Sequence, residues 1–216
     1  MLDFNKFDWG NMSKENSEFF HNESITSYNR IFDVEKGDIV VDLGAFVGSF
    51  TYGILDKNPE HCWVMEPVEE HFKTLYKNLK NHQVSFTRGA ISNDTEVLIE
   101  WSNSNSIAKG IKFKDFIEIN CITTIDFFKC DCEGGEYIIF TEENLDFLKK
   151  NVKKIVCEFH LQDNLKENFK YFRDNILKNF DKYYVYSIDG VDIKWDLYNE
   201  HFIEYYNQIL IHIDNR

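Results

Sequence analysis

One stretch constrains the fold more than any other: Asp38-Ile39-Val40-Val41-Asp42-Leu43-Gly44-Ala45-Phe46-Val47-Gly48-Ser49-Phe50. Ile39, Val40 and Val41 run apolar without alternation, the pattern of a central parallel strand covered on both faces. Lys36-Gly37 turns the chain into this strand, and Gly44 and Gly48 bracket the turn that leaves it. Glycine there permits a tight bend and lets a ligand approach the main chain. A helix from about Ser49 to Asp56 then aims its free N–H groups at whatever lies above the strand. A dinucleotide fingerprint needs G-x-G-x-x-G, and its second glycine would fall on Phe46. The spacing here is instead D-x-G-x-x-x-G, a loop that need not open for a pyrophosphate.

The chain has 216 residues, enough for one full-sized α/β domain. Its formal net charge is -13, from 37 acidic and 24 basic residues. That argues against a nucleic-acid partner, because neutralising phosphates requires clustered Lys and Arg. No apolar run is long enough to span a bilayer, and Met1-Leu2-Asp3-Phe4-Asn5 lacks the features of a signal peptide, so a cytoplasmic protein is expected. Cys62, Cys121, Cys130, Cys132 and Cys157 fall mostly in expected strands and read as reduced, buried thiols. Cys130-x-Cys132 has no second Cys or His pair at matching spacing, so no zinc site is expected.

The rest of the chain reads as alternating strands and helices behind an N-terminal arm and helix (1–30). Residues 1 to 13 form an arm or lid, and Ser13 to Ile31 a helix. Strand two, His61-Cys62-Trp63-Val64-Met65-Glu66, ends about 20 residues beyond the glycine turn. An acidic residue there, Glu66, can accept hydrogen bonds from ribose hydroxyls. Phe72, Leu75, Tyr76 and Leu79 mark a helix. Strand three, Val84 to Thr87, is followed by Gly89-Ala90, which leave room for a flat ring. Glu96–Trp101 and Ile117–Cys121 alternate partially and suggest a β-insertion, with Ser102 to Gly110 as a polar loop. Strand four, Ile125 to Asp131, delivers Lys129, Asp131, Glu133 and Glu136 to its carboxyl end, the edge where open α/β sheets bind ligands. A helix from Tyr137 to about Lys150 follows. Strand five, Lys154 to His160, ends with Glu158 and His160 on one side. A helix with Leu165, Phe169, Phe172, Ile176, Leu177 and Phe180 on its apolar face comes next. Tyr183–Ser187 and Gln208–Ile213 then form a terminal hairpin.

The Asp42–Gly48 pattern resembles motif I of the class I S-adenosylmethionine (SAM) methyltransferases. Taken with Glu66-Pro67, with Phe128-Lys129-Cys130-Asp131-Cys132-Glu133-Gly134-Gly135-Glu136 and with the Glu158-Phe159-His160 strand end, the chain resembles the FkbM family of SAM-dependent methyltransferases over residues 25 to 212. It departs from that family in the short segment between Cys121 and Phe127. The resemblance implies a Rossmann-like fold over residues 31–216: a mostly parallel seven-stranded sheet with an antiparallel C-terminal strand and helices on both faces. It also implies O-methylation of a hydroxyl on a small molecule or sugar.

In that scheme Gly44, Ala45, Phe46 and Gly48 hold the methionine end of SAM, and Asp42 meets its amino group through the loop. Glu66 takes the ribose, and Gly89 and Ala90 lie near the adenine. His160, with an ordinary pKa of about 6.5, is the first choice of base. Asp131 and Glu158 would orient it, and Lys129 completes the catalytic set. The alternatives are a structural His160, or a divalent ion on Asp131, Glu133, Glu158 and His160. The favoured reading contains no metal. A non-catalytic nucleoside-binding protein is the rival class, and a hydride-transferring enzyme is weaker because Phe46 replaces the needed glycine.

Overall fold

The computed structural model describes residues 4–101, 104–162, 164–199 and 201–216. In chain order its main elements are α1 (Lys14–Thr26), β1 (Ile39–Leu43), α2 (Ser49–Ile54), β2 (His61–Glu66), α3 (Glu69–Leu79), β3 (Val84–Arg88), β4 (Ala90–Ile91), β5 (Glu96–Trp101), β6 (Ser104–Ile111), α4 (Phe113–Ile119), β7 (Ile125–Cys130), α5 (Glu136–Ile139), α6 (Glu142–Lys150), β8 (Val152–His160), α7 (Leu165–Tyr171), β9 (Tyr183–Ser187), α8 (Phe202–Tyr205) and β10 (Gln208–Asp214).

Seven strands form one sheet in the order β3-β2-β1-β7-β8-β10-β9. The first five run parallel, and β10 runs antiparallel to both β8 and β9. Val40, Val41 and Leu43 are fully buried, as the unbroken apolar run of β1 requires. Strand order reverses between β1 and β7, and in open α/β sheets that reversal opens a crevice at the carboxyl ends of the strands. Large aromatic side chains fill the layer around β7 and β8. Phe113 stacks on Phe128, and Phe159 stacks on Phe172 with ring centres 4.1 Å apart. Burial of each such ring contributes on the order of 1.5–3 kcal/mol.

The structure departs from the sequence reading in five places. The first helix ends at Thr26, with a turn at 27–29, and does not run on to Ile31. The insertion is a hairpin of β5 and β6, so most of the expected polar loop is strand; Ser102 and Asn103 lie outside the described residues. Ile117 belongs to α4, because Phe113, Phe116 and Ile117 recur at helical spacing and enter the core, while the alternating Ile119 faces solvent. The expected helix from Tyr137 to Lys150 breaks at Phe140 and Thr141. Thr141 is extended, and Glu142 and Glu143 open a new first turn, where negative charge favours the helix dipole. The helix after β8 ends at Tyr171 and continues as a wider turn (Phe172–Ile176) and a 3-10 turn (Leu177–Asn179). Strands β9 and β10 do pair, joined by a long connection that carries α8.

The arm described from Phe4 onward packs on the outer side of α2 and α3. Phe4 and Phe7 lie against Tyr52, and Asp8 exchanges hydrogen bonds with Asn78. Met1–Asp3 lie outside the described residues.

Candidate functional site

The turn after β1 is shaped by residues that only glycine can replace. Gly44 has φ 73°, and a Cβ there would come within 1.6 Å of the Asp131 carbonyl oxygen. Gly48, at φ 90°, would meet Leu75 of α3 at 2.8 Å. Phe46 also adopts a left-handed backbone, at φ 54°. Its amide donates to Glu66 Oε2 at 3.0 Å, and the Val68 amide donates to Glu66 Oε1 at 2.8 Å. His71 Nδ1 lies 3.5 Å from the same Oε1. Glu66 therefore ties the β1 turn to the end of β2. A carboxylate has about four acceptor positions, so capacity is left for a ligand hydroxyl.

Asp42 does not reach the cavity. It is fully buried behind the turn, accepting from Thr51 Oγ1 at 2.7 Å and facing Lys129 Nζ at 3.2 Å. Lys129 Nζ donates to the Gly44 carbonyl at 2.7 Å and sits 3.8 Å from Asp131 Oδ2. Burial alone would lower the pKa of this ammonium, but the Asp42 and Asp131 carboxylates outweigh it and hold the pKa above its ordinary value. Lys129 is thus a fixed cation pinning the glycine turn to the end of β7.

Beyond β7 the chain reverses through Glu133 and Gly134, both with positive φ. The turn brings Glu133 and Glu136 back toward the end of β8. Glu136 is fully buried; Oε2 accepts from the Gly134 amide at 2.7 Å and Oε1 from the His160 amide at 2.8 Å. His160 Nδ1 lies 3.2 Å from Glu136 Oε1. Its Nε2 faces Glu133 Oε2 at 3.3 Å, Glu158 Oε1 at 3.6 Å and Asp131 Oδ1 at 4.0 Å. Burial would lower the His160 pKa, but Glu136, Asp131 and Glu133 push it up to about 10. The surrounding carboxylates therefore favour the charged imidazolium, which weighs against His160 as the base. Glu133 is shifted upward as well: its side chain keeps contact with water, but the protein packed around it partly desolvates the carboxylate, and Asp131 and Glu136 add to the shift against an opposing pull from His160.

A cavity of about 810 Å³ opens over these ends. Gly44, Ala45, Phe46, Glu66, Gly89, Ala90, Lys129, Asp131 and Glu158 all line it, as does Glu133. Of the sequence-derived set, Asp42, Gly48 and His160 stand behind the wall. Four groups of lining residues carry no sequence assignment. Phe20 comes from α1 and Tyr28 from the turn that follows it; the Tyr28 hydroxyl donates to Asp131 Oδ2 at 3.0 Å. His71 packs edge-on against Phe46, Val97 to Ile99 come from β5, and Gln208 begins β10. Tyr28 sits in an apolar stripe of the sequence, yet a buried tyrosine hydroxyl usually finds a partner, and that was the available signal. The β5 wall had no signal beyond alternation.

No family model matches the sequence, and no curated protein shows significant similarity to it. The likeness to the FkbM family thus rests on the motif residues alone. Solved structures do match. Fibrillarin from Aeropyrum pernix, determined with SAM bound, has a TM-score of 0.53 at 11% identity, covering 88% of this chain and 72% of its own. A proposed O-methyltransferase from Klebsiella pneumoniae has a TM-score of 0.51 at 9% identity, covering 97% and 84%. The fibrillarin pre-rRNA processing protein of Methanococcus jannaschii has a TM-score of 0.50 at 13% identity, covering 86% and 70%. At these identities the likeness concerns the fold: the chain has the Rossmann-like architecture of the class I SAM-dependent methyltransferases, with its cavity at the reversal of strand order.

Proposed function

We propose that the chain is a SAM-dependent methyltransferase acting on a hydroxyl of a small molecule or sugar. The observation that carries this reading is that one cavity brings two kinds of residue together. A glycine turn and Glu66 stand at one end, and the carboxylates of Asp131, Glu133 and Glu158 at the other. A nucleoside cofactor and an acceptor hydroxyl can therefore meet in one enclosed space. The SAM bound to the A. pernix fibrillarin of similar fold supports the choice of cofactor.

Glu66 accepts from the ribose, Gly89 and Ala90 flank the adenine, and Gly44 to Phe46 hold the methionine end. Lys129 keeps the Gly44 carbonyl in place, and Asp42 keeps Lys129 charged. Transfer from a sulfonium is an in-line displacement, where alignment alone can supply roughly 7–11 kcal/mol in favourable cases. Asp131 and Glu133 line the cavity and receive the hydrogen bond of the acceptor hydroxyl, whose proton passes to one of these carboxylates as the methyl carbon moves from sulfur to oxygen and S-adenosylhomocysteine leaves. With its pKa raised, His160 serves better as a positive charge among these carboxylates than as the base.

Calorimetric titration with SAM and S-adenosylhomocysteine tests the cofactor. Binding is expected, with Glu66→Ala weakening it at least about tenfold, the loss of one charge-assisted hydrogen bond or more. Failure of both ligands to bind the wild-type chain would overturn the reading. Mass spectrometry of a panel of hydroxylated acceptors then looks for the gain of one methyl group.

A further inference from the structure

Three features of the carboxyl ends of β7 and β8 go beyond an acidic cavity floor. The first is spacing. A divalent ion with bonds of about 2.1 Å places neighbouring ligand atoms about 3.0 Å apart and opposite ones about 4.2 Å apart. The separations from His160 Nε2 to Glu133 Oε2, Glu158 Oε1 and Asp131 Oδ1 are 3.3, 3.6 and 4.0 Å, within that range. One ligand atom from each of Asp131, Glu133 and His160 also lies within 4.8 Å of the others.

The second is the orientation of His160. Its ring is only 2% exposed, and its Nδ1 side is taken by Glu136, a carboxylate itself anchored by the Gly134 and His160 amides. With a carboxylate behind Nδ1, that nitrogen keeps its proton, so a bound ion displaces the proton on Nε2 and takes Nε2 as a ligand, the arrangement found behind metal-binding histidines. The third is charge. Asp131, Glu133, Glu136 and Glu158 converge on one imidazole, and the nearest lysine, Lys129, is shared with Asp42. Each carboxylate in so close a group favours a cation placed among them.

We propose that Asp131, Glu133, Glu158 and His160 form a binding site for a divalent cation of the Mg²⁺ or Mn²⁺ kind on the cavity wall, with Glu136 as the residue that positions His160. Three carboxylate oxygens make the site hard, and the single imidazole favours Mn²⁺. The proposal rests on the same cavity as the methyltransferase reading, where an ion would meet the acceptor oxygen.

The test is a titration of EDTA-stripped wild-type protein with Mn²⁺ alone, following the loss of the free-ion signal by electron paramagnetic resonance. One Mn²⁺ per chain, bound at micromolar concentration and displaced by excess Mg²⁺, is expected. Glu133→Gln and Asp131→Asn should each weaken binding about tenfold or more, and Glu136→Gln by a factor on the order of 10–100 through loss of the orienting carboxylate. Glu133 is mostly exposed, so that variant folds, which circular dichroism checks. No saturable binding below millimolar Mn²⁺, or binding unchanged in both the Glu133 and the Asp131 variants, would overturn the site. S-adenosylhomocysteine binding measured in EDTA reports on the cofactor reading separately, so the two can fail independently.

Discussion

At the scale of single residues, the strongest constraints come from atoms that have no room or no partner. Gly44 has no room: replacing it with Ala drives a methyl group into the Asp131 carbonyl and breaks the contact between the β1 turn and the end of β7. Gly44→Ala is expected to abolish S-adenosylhomocysteine binding in calorimetry and to lower the melting temperature. His212 has no partner. It is fully buried in the middle of β10, both ring nitrogens lack hydrogen bonds, and burial together with Arg30 pushes its pKa down to about 3. Phe32 and Tyr186 face its ring edge-on. Unpaired buried polar groups cost about 1–3 kcal/mol each, so His212→Leu should raise stability by an amount of that order. The sign with pH follows. The unfolded chain takes up a proton below about 6.5, while the folded chain stays neutral down to about 3. This contribution to stability is present above pH 6.5 and is lost as pH falls toward 3. Denaturant melts at pH 7 and pH 4.5 should show a smaller loss in His212→Leu than in wild type; an equal loss would refute the assignment. Glycine at 44 and 48 was legible in the sequence because its backbone demands are specific. His212 was not, since a histidine in an apolar strand looks alike with or without a partner.

At the scale of elements, α1 closes the cavity rather than merely preceding the domain. Ser24 Oγ lies 2.7 Å from Ser49 Oγ at the start of α2, and Phe20 packs on Phe46 with ring centres 5.0 Å apart. Tyr28, just beyond the helix, reaches Asp131. Removing the Phe20 ring opens the wall without touching the sheet. Phe20→Ala is therefore expected to weaken S-adenosylhomocysteine binding several-fold while leaving the denaturation midpoint nearly unchanged. A large fall in stability with unchanged affinity would assign Phe20 to the fold alone. The sequence made the sheet strands legible and the insertion much less so. β1, β7 and β8 are runs of buried residues with polar ends, a pattern with few alternatives. β6, Ser104–Ile111, carries Ser, Asn, Lys and Gly, residues that favour turns, and becomes a strand by pairing with β5. α4 misled in the opposite way, because Ile117-Glu118-Ile119 alternates over three residues while its buried face is set by Phe113 and Phe116.

At the scale of the whole molecule, the fold places charge where it governs the choice of partner. The net charge is -13, and the cavity wall adds Asp131, Glu133 and Glu158 to Glu66. Against these, Lys129 is the cationic side chain among the cavity-lining residues, and it is committed to Asp42 and the Gly44 carbonyl. Two of the structures of similar fold are fibrillarins, one described as a pre-rRNA processing protein; a shared fold does not assign RNA as a partner of this chain. On electrostatic grounds we propose that RNA is not the partner. RNA binding draws most of its strength from cations that neutralise phosphates and release counterions, and an acidic surface reverses that gain. A structured RNA labelled for fluorescence anisotropy should show no saturable binding even at low salt, where attraction to a basic patch would be strongest. Among acceptors, a neutral sugar should be used with a lower KM than its phosphorylated counterpart, with kcat affected less, because repulsion acts on entry to the cavity. If the phosphorylated sugar is the better substrate, the carboxylates are screened in the working protein. Repeating the comparison with and without Mn²⁺ then shows whether a bound cation supplies the screening.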